Sequence, residues 1–409
     1  MASASPVSSL SLFKHQPFLL YFWARSFSEF SIQIATVAIG WQVYALTNSA
    51  LALGVVGLVQ FLPSALLVFV AGHAADRYDR KRVVQICQIV EGLAAAFLAW
   101  GNFAGWLKAP EIFAALVVFG TATAFESPAA AALLPGVAPE GILQKATAIS
   151  SAGFQVAVIT GPALGGLAYA VSPGVPYAVM AVFWFLAGLL NGAIRLDRPV
   201  STKEPPTVGD VYAGVGFVRH NPAILGTISL DLFAVLLGGA TALMPIYARD
   251  ILHTGPWGLG ILRAAPAVGA LLMTAVLARH TINRRAGMRM FQAVIIFGLG
   301  TVVFALSPLL WLSLLALVIL GAADMVSVVI RVSLVQLGTP DEMRGRVSAV
   351  NYLFVNASNE LGQFESGVTA ALFGAMPAAV LGGVGTIVVA LLWMRLFPTL
   401  RNVERLEQD

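Results

Sequence analysis

The sequence predicts an all-α integral membrane protein whose twelve transmembrane helices form two six-helix pseudo-symmetric bundles. Of its 409 residues, 58% are hydrophobic and 11% are charged, and the mean hydropathy is +0.84. Soluble domains carry about 25% charged residues, so a water-soluble fold could not bury this much apolar surface. Since one transmembrane helix takes about 20 apolar residues, the chain is long enough for roughly a dozen of them.

Long apolar runs set the order of the predicted helices. Glycine, proline or clusters of charge interrupt these runs, and a backbone that crosses lipid must be helical to satisfy its own hydrogen bonds. We expect helices near residues 17–46, 50–71, 83–104, 111–134, 144–170, 174–195, 222–248, 256–279, 288–306, 308–337, 346–373 and 377–396.

The two halves of the chain resemble each other. "HQP" at 15–17 returns as "HNP" at 220–222, and "APEGILQKATAI" at 138–149 aligns with "TPDEMRGRVSAV" at 339–350. Parallel repeats of this kind are typical of transporters whose substrate site lies near the membrane midplane, between two six-helix halves.

The longest hydrophilic stretch, "RLDRPVSTKEPPTVGD", separates the halves near the midpoint of the chain, and its two adjacent prolines resist helix formation. The predicted organisation is an N-terminal six-helix bundle at 1–196, a cytoplasmic linker at 197–219, a C-terminal six-helix bundle at 220–396 and a cytoplasmic tail at 397–409.

The basic character of the chain, with a pI near 9.3, reflects its topology. Most of the 24 Lys and Arg residues fall in loops on one side of the predicted membrane, whereas only Lys108 and Arg249 fall in loops on the other side. This asymmetry predicts a multi-pass membrane protein with both termini in the cytoplasm. We expect it in the bacterial cytoplasmic (inner) membrane. The same pattern argues against nucleic acid as a partner.

The sequence lacks the motifs of several kinds of chemistry. Cys87 is the single cysteine, which excludes an internal disulfide and a cysteine-based metal site. There is no phosphate-binding P-loop, no HExxH metal motif and no spacing typical of a catalytic triad. We therefore expect a protein that is not an enzyme and that has no cofactor and no metal site.

The charged loop "AGHAADRYDRKRVV" at 71–84 lies between two long apolar runs. It resembles the loop signature G-x-x-x-D-R-x-G-R-K of the major facilitator superfamily, although Asp79 replaces the usual glycine. The matching positions are Gly72, Asp76, Arg77, Arg80 and Lys81.

Two further blocks, at 124–170 and 340–350, resemble the branch of this superfamily that contains the enterobactin exporter and macrolide-type drug antiporters. The three blocks occur in the order of the family and extend over nearly the whole chain. The resemblance implies the major facilitator fold and a small-molecule substrate.

The resemblance also implies that the loop at 71–84 braces a cytoplasmic gate. Asp76 is expected at a helix N-terminus, where the helix dipole favours a carboxylate by ~0.3–1 kcal/mol. Arg80 is expected to hold a carboxylate near Arg344 and Arg346, at the start of the eleventh predicted helix. A plainer interpretation is that the basic residues only fix the topology.

The stretch "TGPALGG" at 160–166 resembles the core of a motif that is associated with antiporters of this superfamily. The matching positions are Gly161, Pro162, Gly165 and Gly166. The alternative is a generic face of small residues that lets two helices pack closely. The fourth predicted helix has Gly120 but lacks the arginine that many drug antiporters carry there, which argues against a direct transfer of their proton-relay scheme.

Ten acids and arginines fall inside the predicted helices, and the candidate proton-coupling or substrate-binding residues among them are Arg25, Glu29, Glu126, Asp231, Asp324, Arg331 and Glu360. Each would cost ~2.5–3.5 kcal/mol in lipid, so most should face the protein interior or a wet cavity. The ten residues are Arg25, Glu29, Glu91, Glu126, Asp231, Arg263, Asp324, Arg331, Glu360 and Glu365.

Arg25 and Glu29 lie four residues apart and hence on one helix face, close enough to pair. They form either a structural ion pair or a site in which protonation of Glu29 frees Arg25 for an anionic substrate. In the second half, Asp231 and Asp324 lie at comparable depth without an intrahelical partner, which predicts proton or substrate binding. Arg331 either joins this site or extends to the membrane surface.

The eleventh predicted helix is unusually polar, and one of its faces should line the cavity through Asn356, Asn359, Glu360 and Gln363. Glu126 serves either the gate or the cavity, and Glu91 is expected to be structural. Arg263 and Glu365 are interpreted as capping the outer region.

These features predict a proton-coupled antiporter that exports a siderophore, a drug-like compound or another amphipathic metabolite. Burial in a closing cavity favours the protonated form of a carboxyl group, and coupling needs only that substrate and proton stabilise different states. The expected partners are a small-molecule substrate, protons and the lipid bilayer, and the protein is expected to be a monomer. Alternatives are a lysophospholipid translocator of the same fold and a membrane receptor or scaffold that transports nothing.

Overall fold

The computed structural model of the chain describes residues 12, 14–139, 141–195, 208–280 and 284–404. The regular elements among these residues are all helical, and three of them are short segments after Leu237: the 3₁₀ turn Ala240–Leu243, the α-helical turn Met244–Ile246 and the π-helical turn Tyr247–Ile251. The other helices are given next in chain order. They are α1 (Gln16–Thr47), α2 (Ala50–Arg77), α3 (Arg80–Phe103), α4 (Ala109–Val137), α5 (Leu143–Val171), α6 (Val175–Ala193), α7 (Val208–His220), α8 (Pro222–Leu237), α9 (Gly255–Arg279), α10 (Ala286–Leu306), α11 (Leu310–Leu337), α12 (Asp341–Phe373), α13 (Ala375–Leu396) and α14 (Pro398–Arg401).

The long helices match the predicted spans in order and position. In the described part of the chain, 11 helices are long and apolar enough to cross a membrane. The remaining long helix, α12, is the polar one, and its charged first turn and its amide side chains lower its hydropathy. The all-α membrane fold predicted from composition is confirmed.

The described residues group into two compact units. The first unit lies within Met1–Gln42 and Val59–Pro205, and the second lies within Val43–Leu58 and Pro206–Asp409. The end of α1 and the start of α2 therefore belong to the second unit, although they precede most of the first unit in sequence. Of the predicted linker, residues 197–207 lie outside the described residues and the remainder forms most of α7.

Glycines let helices of the first unit approach closely. A Cβ atom at Gly161 of α5 would lie 2.5 Å from the Cβ atom of Gln33 on α1, and one at Gly165 would lie 3.0 Å from the carbonyl oxygen of Ile34. Gly161, Pro162, Gly165 and Gly166 are all buried. The "TGPALGG" stretch therefore forms the α5 face that packs against α1.

Replacing Gly161 with Val should lower the free energy of unfolding by about 1–3 kcal/mol, because the added methyl groups overpack a tight contact between two helices. Reversible unfolding of the purified protein in detergent measures this change. The control is Gly216→Ala on α7, where an added Cβ meets nothing within 4 Å and the stability should stay level or rise by up to about 1 kcal/mol. Equal stability of both variants would show that the contact is not tight.

The second unit contains a broken helix. The seventh predicted span was expected to run unbroken over 222–248, but α8 ends at Leu237 and a 3₁₀ turn, Ala240–Leu243, follows. Gly238 and Gly239 lie at the break, and a Cβ at Gly239 would lie 2.3 Å from the carbonyl oxygen of Gly362 on α12. The expectation of a continuous helix was wrong. Two consecutive glycines destabilise a helix interior, and glycine is needed at position 239 because the backbone there lies close to the backbone of Gly362.

Candidate functional site

Asp231 on α8 and Arg331 on α11 form a buried ion pair in the second unit. The two residues are 8% and 6% exposed. Arg331 therefore does not extend to the membrane surface, since its guanidinium is held by a carboxylate on another helix. The partner of Asp231 lies on a helix distant in sequence.

Asp324, two turns before Arg331 on α11, lines a pocket of about 290 Å³ together with Asp231 and Ser327. Unlike Asp231, Asp324 has no hydrogen-bond or ion-pair partner among the described residues. The volume of this pocket includes its open mouth, and the enclosed part has room for about one water molecule. Asp324 is thus an unpaired acid, among the described residues, at the wall of a small pocket.

A larger cavity of about 710 Å³, counting its open mouth, adjoins this pocket and shares Val235 and Phe297 with it. Its lining is mostly apolar. The broken segment after α8 contributes to the wall, and the polar groups are Thr241, Thr301, Asn359 and Gln363. Irregular backbone at membrane depth is tolerated where it lines a cavity, and broken helices of this kind often build transporter sites.

The predicted polar face of α12 divides into two parts. Asn359 and Gln363 line the larger cavity. Gln363 donates a hydrogen bond of 3.0 Å to Glu360. The Glu360 carboxylate also lies close to α2, since a Cβ atom added at Gly57 would be 2.8 Å from it. Asn356 instead donates its amide to the backbone of Tyr352. The structure therefore brings two of the four residues to the cavity.

Arg263 of α9 is partly exposed, but its Nε atom is buried and lacks a hydrogen-bond partner in the described part of the chain. Glu360 is the acid that interacts with it electrostatically. Glu365 accepts a hydrogen bond of 2.7 Å from Thr369, one turn further along α12. The interpretation of Arg263 and Glu365 as residues that cap the outer region stays a prediction.

Another polar cluster holds the end of α1 within the second unit. The Tyr44 hydroxyl donates to Asp250, and Arg249 donates to Asn48 at 2.9 Å and to the Tyr44 carbonyl at 3.4 Å. The Arg249 guanidinium also lies 5.3 Å from the centre of the Tyr44 ring, in cation–π geometry. Arg249 thus fastens the α1–α2 turn to the segment that follows the α8 break.

Replacing Arg249 with Gln should lower the free energy of local opening of this turn by about 1–2 kcal/mol, since it removes charge-assisted hydrogen bonds and a cation–π contact. The backbone amide of Asn48 should then exchange with deuterium about tenfold faster, as measured by hydrogen-exchange mass spectrometry. Arg289→Gln, an exposed change on α10, is the control. Unchanged exchange at Asn48 would mean that Arg249 does not hold the turn.

In the first unit, the predicted pairing of Arg25 with Glu29 is present, with 2.5 Å between Nη2 and Oε1. Glu29 is buried and Arg25 is partly exposed. The pair lies on α1 near a group of buried polar side chains on α3, α4 and α6.

Glu126 of α4 lies at the centre of that group. Its Oε1 atom accepts hydrogen bonds of 2.9 Å from Ser28 and from Gln88. Gln88 in turn accepts a bond of 2.7 Å from Asn191 of α6, and Glu91 accepts one of 3.3 Å from Thr123. Glu126 therefore faces the interior of the first unit.

The loop at 71–84 departs from expectation in its capping residue. Asp76 lies in the last turn of α2, and its side chain is outside the part that the structure describes. Asp79 instead precedes α3 and accepts a hydrogen bond of 3.1 Å from the Lys81 amide. The N-cap of α3 is thus Asp79, the residue that replaces the usual glycine of the family signature, and the expectation that the Asp76 carboxylate lies at a helix N-terminus stays a prediction.

The basic residues of this loop differ in their surroundings. Arg77 lies in the last turn of α2, where a cation favours the helix dipole, and Arg80 is buried. Lys81 donates a hydrogen bond of 2.7 Å to the Ile194 carbonyl, just after α6. Gly72 has open space around it.

At the start of α12, Arg344 pairs with Asp341 of the same helix at 2.6 Å. Arg346 donates to the sulfur of Met343. The backbone carbonyl oxygen of Arg346 also lies against α7, since a Cβ atom added at Gly214 would be 2.9 Å from that oxygen.

Three parts of these sites were not found from the sequence. Glu91, Gln88 and Asn191 were not connected to Glu126, since the sequence gives no sign of how α3, α4 and α6 rotate toward one another. The cluster of Tyr44 and Arg249 joins distant segments. The break after α8 did have a signal, the glycine pair at 238–239.

Comparison with known proteins agrees with this architecture. A family model described as Major Facilitator Superfamily matches residues 21–363. The multidrug efflux pump Tap of Mycolicibacterium fortuitum is 28% identical over 377 residues, which cover 87% of this chain and 89% of Tap. The enterobactin exporter EntS of Citrobacter koseri is 28% identical over 403 residues, which cover 96% and 95% of the two chains.

Among solved structures, a mutant of the nucleoside transporter NupG superposes with a TM-score of 0.74 at 14% identity. The match covers 93% of this chain and 100% of that one. At this identity the likeness shows the fold alone. The resemblance inferred from the loop motifs is confirmed.

Proposed function

The chain belongs to the major facilitator superfamily of transporters, and from that premise we propose that it exports an amphipathic organic molecule from the cytoplasm in exchange for protons. The observation that carries this proposal is the larger cavity of the second unit, which the α8 break lines. An unpaired acid, Asp324, lies in the pocket beside it.

The lining of the larger cavity supports an amphipathic substrate. Its mostly apolar wall with a few polar groups is the usual lining of sites that bind small organic molecules. Phe297, Phe304 and Met244 offer apolar contact, while Asn359 and Gln363 offer donors and acceptors. Siderophores and drug-like compounds combine such surfaces, and the names of the two relatives, a multidrug efflux pump and an enterobactin exporter, agree with this class.

Asp324 supports proton coupling. Because this carboxylate has no partner within the described ranges of the chain, a proton or a cationic group of the substrate can neutralise it, but not both at once. Protons taken up from the acidic side would then release the substrate, and departure of the proton would restore the binding state. Asp231 is a weaker candidate, because Arg331 already neutralises it.

The loop at 71–84 and the start of α12 are proposed as parts of the cytoplasmic gate. The excess of Lys and Arg on one side supports a bacterial inner-membrane protein with both termini in the cytoplasm. The glycine face of α5 fits a helix that slides closely along α1 during transport.

Transport by purified protein in proteoliposomes tests this proposal. An imposed pH gradient should drive ethidium, an amphipathic dye, across the bilayer, and a protonophore should stop the flux. Liposomes without protein are the control. Translocation of a labelled lysophospholipid without ethidium flux would instead favour a lipid translocator, and no flux of either probe would favour a scaffold.

A further inference from the structure

The first unit contains two acids that the proposed exchange at Asp324 does not use. Glu91 of α3 is 0% exposed and Glu126 of α4 is 1% exposed. Glu91 accepts a hydrogen bond from Thr123 of α4, one turn before Glu126, and Glu126 accepts one from Gln88 of α3, one turn before Glu91, so the two carboxyl groups lie side by side where α3 packs on α4. Two carboxylates in such contact repel each other, so at least one of the two groups must carry a proton for the contact to be favourable.

The hydrogen-bond donors around the pair are unevenly shared. Asn191 donates to the Oε1 atom of Gln88, which fixes the Gln88 amide with its NH₂ group toward Glu126. Ser28 donates to the same Glu126 oxygen. Glu126 therefore has the surroundings of an ionised carboxylate, held by two donors.

Glu91 has the opposite surroundings. Thr123 donates to its Oε1 atom, but its Oε2 atom is buried and has no donor among the described residues. An unpartnered buried carboxylate oxygen is costly, whereas a protonated one can itself donate. A proton on Glu91 that is donated to Glu126 satisfies both groups.

Other titratable and charged groups that face the pair come from the adjacent helices. Arg25, Glu29 and Tyr21 lie on α1, and Cys87 lies on α3. Arg25 is already paired with Glu29 at 2.5 Å, and Tyr21 donates to the carbonyl of Ala130. Among the described residues that face the pair, Arg25 is the cation, and its contact with Glu29 leaves it unable to neutralise both Glu91 and Glu126.

We propose that Glu91 and Glu126 form a second proton-binding site of this protein, in which Glu91 carries the proton and Glu126 accepts its hydrogen bond. Asn191 is a positioning residue, because it orients Gln88. The part this site takes in transport rests on the proposed function, but proton binding itself does not. The described residues contain no group of three or more metal-ligating side chains, so a bound cation is an outcome of the test and not the expectation.

Infrared difference spectroscopy of the full chain in lipid nanodiscs tests the site directly. At neutral pH the carbonyl band of a protonated carboxyl group should be present in the wild type and lost in Glu91→Gln. In Glu126→Gln the band should remain but shift, since Glu91 keeps its proton and loses its acceptor. In Asn191→Leu the band should shift as well, because the Gln88 amide is then free to turn.

Glu111→Gln, on α4 outside the cluster, is the matched control and should leave the band unchanged, since the Glu111 carboxylate accepts a hydrogen bond from the Lys108 amide. A wild-type band that persists in Glu91→Gln would overturn the proposal. So would a band that appears only when sodium is removed, since a cation would then be the occupant. If Glu91→Gln does not fold, Glu91→Asp should shift the band, and an unmoved band would contradict the assignment.

Transport measurements separate this site from the proposed function. If the wild type shows no proton-driven flux, the proposed function fails, yet the infrared result still decides whether the Glu91–Glu126 pair binds a proton. If the wild type transports, Glu91→Gln should shift the dependence of the flux on pH. A pH profile of Glu91→Gln that matches the wild type would contradict a transport role for the Glu91–Glu126 pair and leave it a structural role.

Discussion

Replacing Asp324 with Asn should abolish most of the pH-gradient dependence of transport. Asn has nearly the shape of Asp but cannot exchange a proton. Because Asp324 has no ion-pair partner among the described residues, its loss leaves no buried charge behind and the protein should still fold. Coupling free energies of 1–3 kcal/mol correspond to about 5- to 150-fold effects, so we expect the gradient-driven flux to fall by at least about fivefold.

The flux of ethidium into proteoliposomes, with and without an imposed pH gradient, measures this change. Asp324→Glu keeps a titratable group and should retain much of the gradient dependence. Ser327→Ala, which alters the same pocket without changing its charge, is the matched control. Full gradient-driven flux in Asp324→Asn would remove this acid from the coupling scheme.

Replacing Arg331 with Met should destabilise the protein by about 3–5 kcal/mol, the usual cost of leaving one charge of a buried ion pair without its partner. Asp231 would then be buried beside an apolar side chain. The double variant Asp231→Leu/Arg331→Met should recover most of this loss, because apolar residues of similar size often replace a buried pair at little cost.

Reversible unfolding of the purified variants in mixed micelles gives the free energies that enter this double-mutant cycle. Arg344→Gln is the comparison, since Arg344 and Asp341 are exposed and an exposed pair contributes about 0–1 kcal/mol. Additive effects of the two single substitutions would show that Asp231 and Arg331 are not energetically coupled.

The sequence predicted the helices well because composition and length decide them. Apolar runs of about 20 residues have one economical structure in a bilayer, so the spans were placed to within a few residues, apart from the break after α8. The contact between Arg25 and Glu29 was also predictable, since residues four apart share one face of any helix.

Contacts between helices were not predictable in the same way. Most of these helices are apolar on all sides, so no hydrophobic face reports how each is rotated about its axis. Whether Asp231 meets Arg331, or Glu91 meets Glu126, depends on that rotation. The Asp79 cap was not predicted for another reason, because the family signature has a glycine at that position and its acid corresponds to Asp76.

The central claim is that proton and substrate compete at the cavity beside Asp324. Adding ethidium to purified protein in weak buffer, with a pH indicator present, tests it most directly. Dye binding, followed by its fluorescence, should release protons from the wild type. In Asp324→Asn the proton release from this site should be absent. Binding with no proton release from the wild type, or equal release from both proteins, would contradict it.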